Sequence, residues 1–336
     1  MPEVSVVILN WNRFELTREA VWSALNQAGV EVEVIVVDNG SEDGSDERLA
    51  EEFQARINLI KNPQNMGFSP ANNQAFKIAN SDWIALLNND AVADPLWLKN
   101  SLKLAFSDAK VGIVVPRIIN YYHREKLDGI GVGFWLDGLS RARHRGEIDS
   151  QNLDREEPLL ASGCACVLSR KMLEELNGFD PDFFAYSEDT DLGIRAFVSG
   201  WRCLFAPTAI VYHRYSQTSG AKRGYSALKL YYVERNRLWI LFRYYPLYLM
   251  LASPITSLLR LIFQVLEAFF SQRGHLPLPF FPSLLSLLKA FIDAFISLPR
   301  QLKIRRRWLK TGFEKSALWR EIFEHFIPLK QISRLD

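Results

Sequence analysis

The chain has 336 residues, a length that fits one large α/β domain with an appendage, or two domains. Its hydrophobic content of 48% and charged content of 23% are those of an ordinary globular protein. A formal net charge of +2 argues against a dedicated nucleic-acid binder, which would carry a strongly basic face. The three cysteines do not make a disulfide framework, and we interpret them as small buried residues in a reducing compartment.

Short apolar runs alternate with segments of helical spacing over the first 115 residues. Strands are predicted at 4–9, 32–37, 57–60, 83–87 and 111–115, and helices at 14–26, 47–54, 72–79 and 96–106. This alternation predicts a mainly parallel α/β sheet with helices on both faces. Ligands bind beyond the carboxyl ends of the strands in such sheets, and Asp38 and Asp90 each follow a predicted strand closely. Residues 120–158 are polar, and we expect loops or irregular strands over the site there.

Three carboxylates stand within four residues at Glu188, Asp189 and Asp191. Like charges this close raise each other's pKa values unless a cation or hydrogen bonds offset them. A chain tolerates that cost most readily where a proton is taken or a metal is held. The alternative is a plain helix start, because acidic residues in a first turn face the positive end of the helix dipole.

Residues 62–73 form a second unusual stretch, which combines several amides with Gly67 and two prolines directly before a predicted helix. Backbone N–H groups at a helix start suit a nucleotide or sugar hydroxyls, whereas the alternative is a capped loop. The chain has no G-x-G-x-x-G, GK[ST] or G-x-S-x-G segment. These absences argue against a phosphate-cradling glycine loop and against a serine hydrolase.

The composition changes after about residue 225. Residues 255–270 and 283–297 are strongly apolar, and each carries a polar stripe on one helical face. The connector at 273–279 contains Gly and Pro, so a helical hairpin is predicted. Each of its arms has about 16 residues, fewer than the roughly 20 that a helix needs to span a bilayer. Six basic residues follow, at Arg300, Lys303, Arg305, Arg306, Arg307 and Lys310. This combination predicts a region that lies on or dips into an anionic membrane face; the alternative is a helical pair packed on its own domain or on a second copy.

The chain resembles the family-2 glycosyltransferases of the GT-A fold, in the rhamnosyltransferase-like branch that builds bacterial cell-surface polysaccharides. The resemblance runs from about residue 3 to 215, through segments at 4–12, 36–45, 65–73, 87–90, 162–163, 178–192 and 207–213. Each motif by itself is weak, but their order and spacing together are specific. The resemblance implies a GT-A catalytic domain at residues 1–225, and the composition change leaves residues 226–336 as a helical, membrane-associating region with a basic tail.

The resemblance also implies roles for individual residues. Asp38 would contact the nucleotide base, with Asn10 beneath it, and Asp189 matches the catalytic base, with Glu188 beside it. Asp90 would bind Mg²⁺ or Mn²⁺, and His213 would reach the metal or the diphosphate. The remaining predicted nucleotide-sugar contacts are Asn65, Gly67, Asn73, Asn88 and Asn89.

These roles imply a transfer that inverts the anomeric centre. The donor is expected to be a dTDP- or UDP-sugar, with rhamnose the first candidate, and the acceptor a cell-surface glycan or a lipid-linked saccharide. Residues 1–4 lack the features of a cleaved signal peptide, so we expect a cytoplasmic protein, peripheral on the inner face of the cell membrane. Because Asn88 stands where the family's metal motif begins with Asp, the alternative is a non-catalytic nucleotide-sugar-binding homologue in a polysaccharide assembly complex. A nucleotidyltransferase is disfavoured, since no basic glycine-rich loop follows the first strand.

Overall fold

The computed structural model describes residues 2–155, 157–214, 226–270, 280–310 and 314–332. The chain divides into two compact units. The first comprises residues 1–132 and 144–218, and the second comprises residues 133–143 and 219–336. The predicted connector at 273–279 lies outside the described residues.

Strands and helices alternate over the first half of the chain, as predicted. The strands are β1 (Val4–Asn10), β2 (Val32–Asp38), β3 (Asn58–Lys61), β4 (Trp83–Leu87), β5 (Ala91–Ala93), β6 (Val111–Asn120), β7 (Leu127–Gly129), β8 (Val132–Phe134), β9 (Ser140–Ala142), β10 (Ala165–Ser169) and β11 (Arg202–His213). The helices are α1 (Phe14–Leu25), α2 (Ser45–Phe53), α3 (Phe68–Ile78), α4 (Trp97–Ala105), α5 (Arg170–Leu176), α6 (Glu188–Val198), α7 (Ala227–Tyr244), α8 (Leu247–Phe270), α9 (Phe280–Ile296), α10 (Leu298–Trp308), α11 (Lys315–Glu324) and α12 (Leu329–Ile332).

One large sheet organises the first unit, in the strand order β3-β2-β1-β4-β10-β6-β11-β5, with β7 also on β6. Strands β3, β2, β1 and β4 are mutually parallel, and β6 is parallel to β11. Strand β10 enters between β4 and β6 and is antiparallel to both. The α/β fold class is therefore confirmed, with a parallel first half and a mixed second half.

Helices cover both faces of this sheet because its strands are apolar on both sides. Successive strand residues point to opposite faces, so Val6 and Ile8 join one hydrophobic cluster while Val7 joins the other. The first cluster includes side chains of α1, α2 and α4, and the second includes side chains of α3, α5 and α6. Packing of the sheet between these helices fixes the positions of the strand ends. The loops that follow the strands contain most of the predicted site residues.

Helices α7–α12 and the small sheet of β8 and β9 make up most of the second unit. Its interior contains a fully buried group of two acidic and two basic side chains. The Arg260 guanidinium lies 2.7 Å from Asp137 and 2.9 Å from Glu234, and Arg237 lies 2.6 Å from Glu234. Burial by itself raises the pKa of Asp137, but its pairing with Arg237 and Arg260 lowers the pKa to about 2. Each charge thus has an opposite partner, as burial of ionised groups requires.

Helix α8 is longer than the sequence predicted. It has 24 residues and continues through Pro254, and at about 1.5 Å per residue it is roughly 36 Å long. The predicted 16-residue arm was wrong because a helix can accommodate a proline at the cost of a backbone hydrogen bond. By length and composition, α8 is the one described helix that could cross a bilayer, and α9 with α10, bent by 54° at Ser297, would be a second if counted together.

Candidate active site

Asn10 and Asp38 end β1 and β2, and the two residues are partners in the parallel register. The Asn10 side-chain amide donates to Asp38 Oδ2 at 2.6 Å. Ser41 also donates to Asp38, from its backbone N–H at 3.0 Å and from its hydroxyl at 2.6 Å. Both Asn10 and Asp38 are buried. The carboxylate predicted to contact the base is therefore held in one orientation at the carboxyl edge of the sheet.

Thr17 connects the ends of β1 and β4. It is buried in α1, and its hydroxyl donates to Asn10 Oδ1 at 2.6 Å. The Asn89 amide in turn donates to the Thr17 hydroxyl at 3.3 Å. Of the two predicted asparagines beyond β4, Asn89 thus belongs to this strand-end network, and Asn88 is half-buried beside it.

Asn65 and Gly67 lie in a loop that Asn39 organises. The Asn39 amide donates to Asn65 Oδ1 at 3.0 Å and to the Gly67 carbonyl at 3.2 Å, while its oxygen accepts from the Met66 N–H at 3.0 Å. Gly67 has φ +89°, and a Cβ there would lie 2.5 Å from the carbonyl oxygen of Phe184. The absence of a side chain at Gly67 therefore allows the segment that precedes α6 to approach.

Asn73 binds that same segment from α3. Its Oδ1 accepts from the Phe179 N–H at 2.9 Å, and its amide donates to the Phe179 carbonyl at 2.8 Å. The Phe68 N–H adds a bond to the Phe184 carbonyl at 2.6 Å. Through these contacts, Asn73 and Phe68 fix the position of the segment that precedes the acidic cluster at the start of α6.

The acidic cluster forms the first turn of α6, as the helix-start alternative predicted. Asp189 Oδ2 accepts from the Gly163 N–H at 2.9 Å, and its Oδ1 accepts from the Thr190 N–H at 2.7 Å. Burial raises the pKa of Asp189, although these N–H groups offset part of the effect. Asp191 has a different role, since it forms an ion pair with Arg195 at 2.7 Å.

Glu188 is buried next to Asp189. Burial and the neighbouring Asp189 charge raise the pKa of Glu188 well above its ordinary value. Within the part of the chain that the structure describes, its Oε2 is buried without a hydrogen-bond partner. The two adjacent carboxyl groups therefore differ, because several backbone donors stabilise the Asp189 carboxylate, whereas Glu188 has one backbone donor and a charged neighbour that disfavours its ionisation.

Asp90 and His213 lie together at the start of β5 and the end of β11. His213 pairs with Ala91 in the antiparallel register, and its Nε2 lies 3.1 Å from Asp90 Oδ1. Its Nδ1 lies 2.7 Å from Oδ2 of Asp128, which the sequence analysis did not predict. Burial by itself lowers the pKa of His213, but Cys164, Asp90 and Asp128 together raise it well above its ordinary value.

This arrangement fits a divalent cation held jointly with a ligand. Asp90 Oδ1 and His213 Nε2 lie 3.1 Å apart, close enough for both atoms to contact one ion. Carboxylate oxygen and imidazole nitrogen are suitable donors for such an ion. Among residues whose placement is described, no group of three His, Cys, Asp or Glu side chains is arranged to hold a metal by itself. Phosphate oxygens and water would therefore complete the coordination, as is usual for Mg²⁺.

The segment 162–164 connects the two halves of the site. Its Gly163 N–H binds Asp189, and its Cys164 carbonyl accepts from the Asn88 N–H at 2.8 Å. The following residue begins β10, in register with the last residue of β4. Asp189 and the Asn88–Asp90 turn therefore lie at one edge of the sheet, joined through two consecutive residues.

Residues 5–176 match the model of glycosyl transferase family 2. This chain belongs to that family. The glycosyltransferase is 27% identical to the succinoglycan biosynthesis protein ExoO of Rhizobium meliloti, over 63% of this chain and 61% of ExoO. It is 25% identical to an N-acetylglucosaminyl-diphospho-decaprenol L-rhamnosyltransferase of Mycobacterium tuberculosis, over 56% of this chain and 68% of that protein. The predicted family and enzyme class are confirmed.

Two solved structures share the fold of this glycosyltransferase. The mannosyltransferase PcManGT from Pyrobaculum calidifontis, in complex with GDP-mannose and Mn²⁺, has a TM-score of 0.51 and 17% identity, covering 99% of this chain and 83% of its own. A TarS fragment from S. aureus has a TM-score of 0.50 and 17% identity, covering 95% and 89%. At this identity the likeness concerns the fold alone.

Sequence reasoning missed Thr17 and Asp128. Thr17 gave no signal beyond its position in a helical pattern, because one of its two partners, Asn89, lies 72 residues away in the chain. Asp128 stood in the polar stretch predicted as loops, where an Asp-Gly pair is typical of a turn. A lone acid within the apolar run from Leu127 to Val132 was the only available sign that the residue was buried.

Proposed function

We propose that this chain is an inverting glycosyltransferase that moves a sugar from a nucleotide-diphosphate sugar to a cell-surface glycan or a lipid-linked saccharide. The names of the two curated relatives support polysaccharide or saccharide-lipid acceptors, and the name of the second supports rhamnose as the first donor sugar. dTDP-rhamnose is accordingly the first donor to test, followed by UDP-sugars.

Asp189 is the proposed general base. Its carboxylate accepts the proton of the acceptor hydroxyl as that oxygen bonds to C1 of the sugar, and the bond from C1 to the diphosphate oxygen breaks on the opposite side. Its raised pKa suits this role, because a base is most effective when its pKa approaches the operating pH. Glu188 lies beside this base, and burial together with the Asp189 charge raises its pKa well above its ordinary value.

Asp90 and His213 would hold the cation, Mg²⁺ or Mn²⁺, together with the diphosphate. Charge neutralisation on the leaving diphosphate is the chemistry that such an ion supplies. Asp38, positioned by Asn10, would accept from the N–H of the pyrimidine base, and Asn88 and Asn89 would orient the sugar or water. The contacts of the other predicted residues, at Asn65, Gly67 and Asn73, support a role in shaping the loop before α3 and the segment before α6.

One observation carries this proposal: the Asp189 carboxylate and the Asn88 N–H both bind the segment 162–164. The proposed base and the turn that contains the proposed metal ligand Asp90 are thus held by consecutive residues, and sugar transfer requires both functions. A solely nucleotide-binding protein has no need of a carboxylate with a raised pKa close to the Asn88–Asp90 turn.

A thermal-shift screen of nucleotide sugars with and without Mg²⁺ or Mn²⁺ tests the proposal. A donor at about 100 times its Kd should stabilise the folded state by about 2.7 kcal/mol, and a divalent cation should increase the shift. Release of the nucleoside diphosphate should then stop in excess EDTA and in Asp90→Asn. The matched control is Asp94→Asn, whose carboxylate accepts from the Leu96 N–H in the next turn. Full activity in excess EDTA would refute the role of Asp90.

We also propose that residues 226–336 attach the protein to the inner face of the membrane. In α8 the polar stripe faces inward: Ser253, Ser257, Arg260 and Gln264 are buried. Leu251 and Ile255 are 73% and 67% exposed on the other side. The inward position of the polar residues reverses the usual pattern of a soluble helix and is that expected in lipid.

Helix α9 repeats this pattern. Its Asp293 accepts from the Tyr231 hydroxyl at 2.5 Å, whereas Phe281 and Ile296 are 75% and 73% exposed. Five of the six predicted basic residues near α10 are exposed, but Arg305 donates to the Tyr245 carbonyl at 2.7 Å. An apolar face accompanied by basic side chains favours an anionic lipid surface over water.

A further inference from the structure

We propose that Asp128 is a positioning residue that sets the metal-binding geometry of His213. The inference rests on the proposed function, since it requires a cation at Asp90 and His213. Its basis is the position of the imidazole between two buried carboxylates, with Asp90 Oδ1 3.1 Å from Nε2 and Asp128 Oδ2 2.7 Å from Nδ1.

An irregularity in the pairing of β7 positions the Asp128 carboxylate next to His213. In the pairing of β6 with β7, Ile118 is opposite Gly129 and Ile119 is opposite Leu127, so Asp128 has no partner of its own. An extra residue of this kind is a β-bulge, which bends the strand and redirects a side chain. His213 lies on the strand at the other edge of β6, opposite Asn120. The bulge therefore brings Asp128 to His213 across the end of β6.

The chemistry follows from the two ring nitrogens. A carboxylate at Nδ1 holds a proton on that nitrogen, so a cation would bind at Nε2 in place of the proton there. Metal-binding histidines usually donate their second N–H to such a partner, and removal of the partner typically costs about 10- to 100-fold in metal affinity or activity. The other contact of Asp128, with Arg145 Nε at 3.6 Å, is longer and leaves His213 as its principal partner.

Mn²⁺ binding provides a test that does not depend on turnover. The wild-type protein with dTDP or UDP is titrated with Mn²⁺, and free Mn²⁺ is followed by electron paramagnetic resonance. Asp128→Asn should weaken Mn²⁺ binding about 10- to 100-fold. The control Asp149→Asn removes a carboxylate that pairs with Arg117 instead of His213, and it should bind Mn²⁺ like the wild type.

A double-mutant cycle separates positioning from a merely structural effect. If Asp128 acts through His213, then His213→Ala and the double variant should bind Mn²⁺ with the same affinity, because the second change removes nothing further. Losses that multiply would overturn the proposal, as would an unchanged affinity in Asp128→Asn. Absence of Mn²⁺ binding by the wild type would instead overturn the metal role in the proposed function and, with it, this inference.

A measurement on the unmutated chain covers the case in which Asp128→Asn does not fold. Nitrogen NMR of histidine-labelled protein with Mg²⁺ and the nucleotide reports which ring nitrogen carries hydrogen, and the chain has five histidines. His213, assigned by the signal lost in His213→Ala, should be protonated at Nδ1 only. Protonation at Nε2 in the Mg²⁺ complex would overturn the proposal.

Discussion

Replacement of Asp189 by Asn should remove most of the sugar transfer and leave the fold in place. The two carboxylate oxygens accept N–H groups from Gly163 and Thr190. Asn offers one acceptor oxygen and one NH₂ group, so one of these backbone donors loses its partner. An unsatisfied buried donor costs about 1–3 kcal/mol. Removal of a carboxylate whose pKa is raised by burial offsets part of that cost.

The effect on the rate is larger than this effect on stability. A positioned base contributes about 10²- to 10⁴-fold, which corresponds to about 3–5 kcal/mol in the activation free energy. A domain with a stability of about 5–15 kcal/mol remains mostly folded after a loss of about 1–3 kcal/mol. A hundredfold loss of turnover therefore could not come from unfolding.

Nucleoside-diphosphate release, measured beside the thermal shift on donor addition, checks this prediction. Asp189→Asn should give a donor-induced shift equal to that of the wild type, with turnover reduced by at least about 10²-fold. Asp191→Asn serves as the opposite control, because it breaks the buried pair with Arg195 and lowers the melting temperature while the base remains. Wild-type turnover in Asp189→Asn would refute the assignment of the base.

Three further changes test other parts of the structure. Burial holds the folded-state pKa of Glu188 above its unfolded value of about 4.3. The contribution of Glu188 to the free energy of unfolding is therefore complete at lower pH and is lost as pH rises through the folded pKa. Glu188→Gln should flatten this fall in stability when urea unfolding is measured across pH, and an unchanged dependence on pH would contradict the account. Gly67→Ala should cost about 1–3 kcal/mol or more, because φ +89° with ψ 172° is a backbone region that essentially only glycine adopts, and the new Cβ would also lie 2.5 Å from the Phe184 carbonyl oxygen. Gly44→Ala, in the milder left-handed region and with open space around it, should cost less. Equal melting temperatures in the two variants would contradict this reasoning. Ile255→Ser should weaken binding to phosphatidylglycerol vesicles by about tenfold in a sedimentation assay, because burial of an apolar side chain contributes about 1.5–3 kcal/mol. Phe106→Ser, which changes an exposed apolar residue of the first unit, should have no effect. Unchanged vesicle binding together with a stable dimer in solution would assign the apolar face to a second copy.

The sequence was most informative where a local pattern determines both the structure and the position of a side chain. Asp38 and Asp90 were placed at strand ends because apolar runs of strand length stop just before them, and parallel strands bring their carboxyl ends to one edge. The start of α6 at Glu188 was equally local, since acidic residues favour the first turn of a helix. Family membership also followed from the sequence, because it depends on the order and spacing of short segments.

Only the tertiary structure decided which side chains meet. Strand β10 lies antiparallel between β4 and β6, and Asp128 reaches His213 from a bulge 85 residues earlier in the chain. The inward direction of the polar stripe in α8 was also beyond prediction, because periodicity identifies two faces of a helix without saying which one is buried. The polar face of α8 is buried because Arg260 pairs there with the charges of Asp137 and Glu234. Local residue patterns determine strands, helices and their ends, whereas long-range pairing of buried polar groups depends on where the folded chain brings distant segments together.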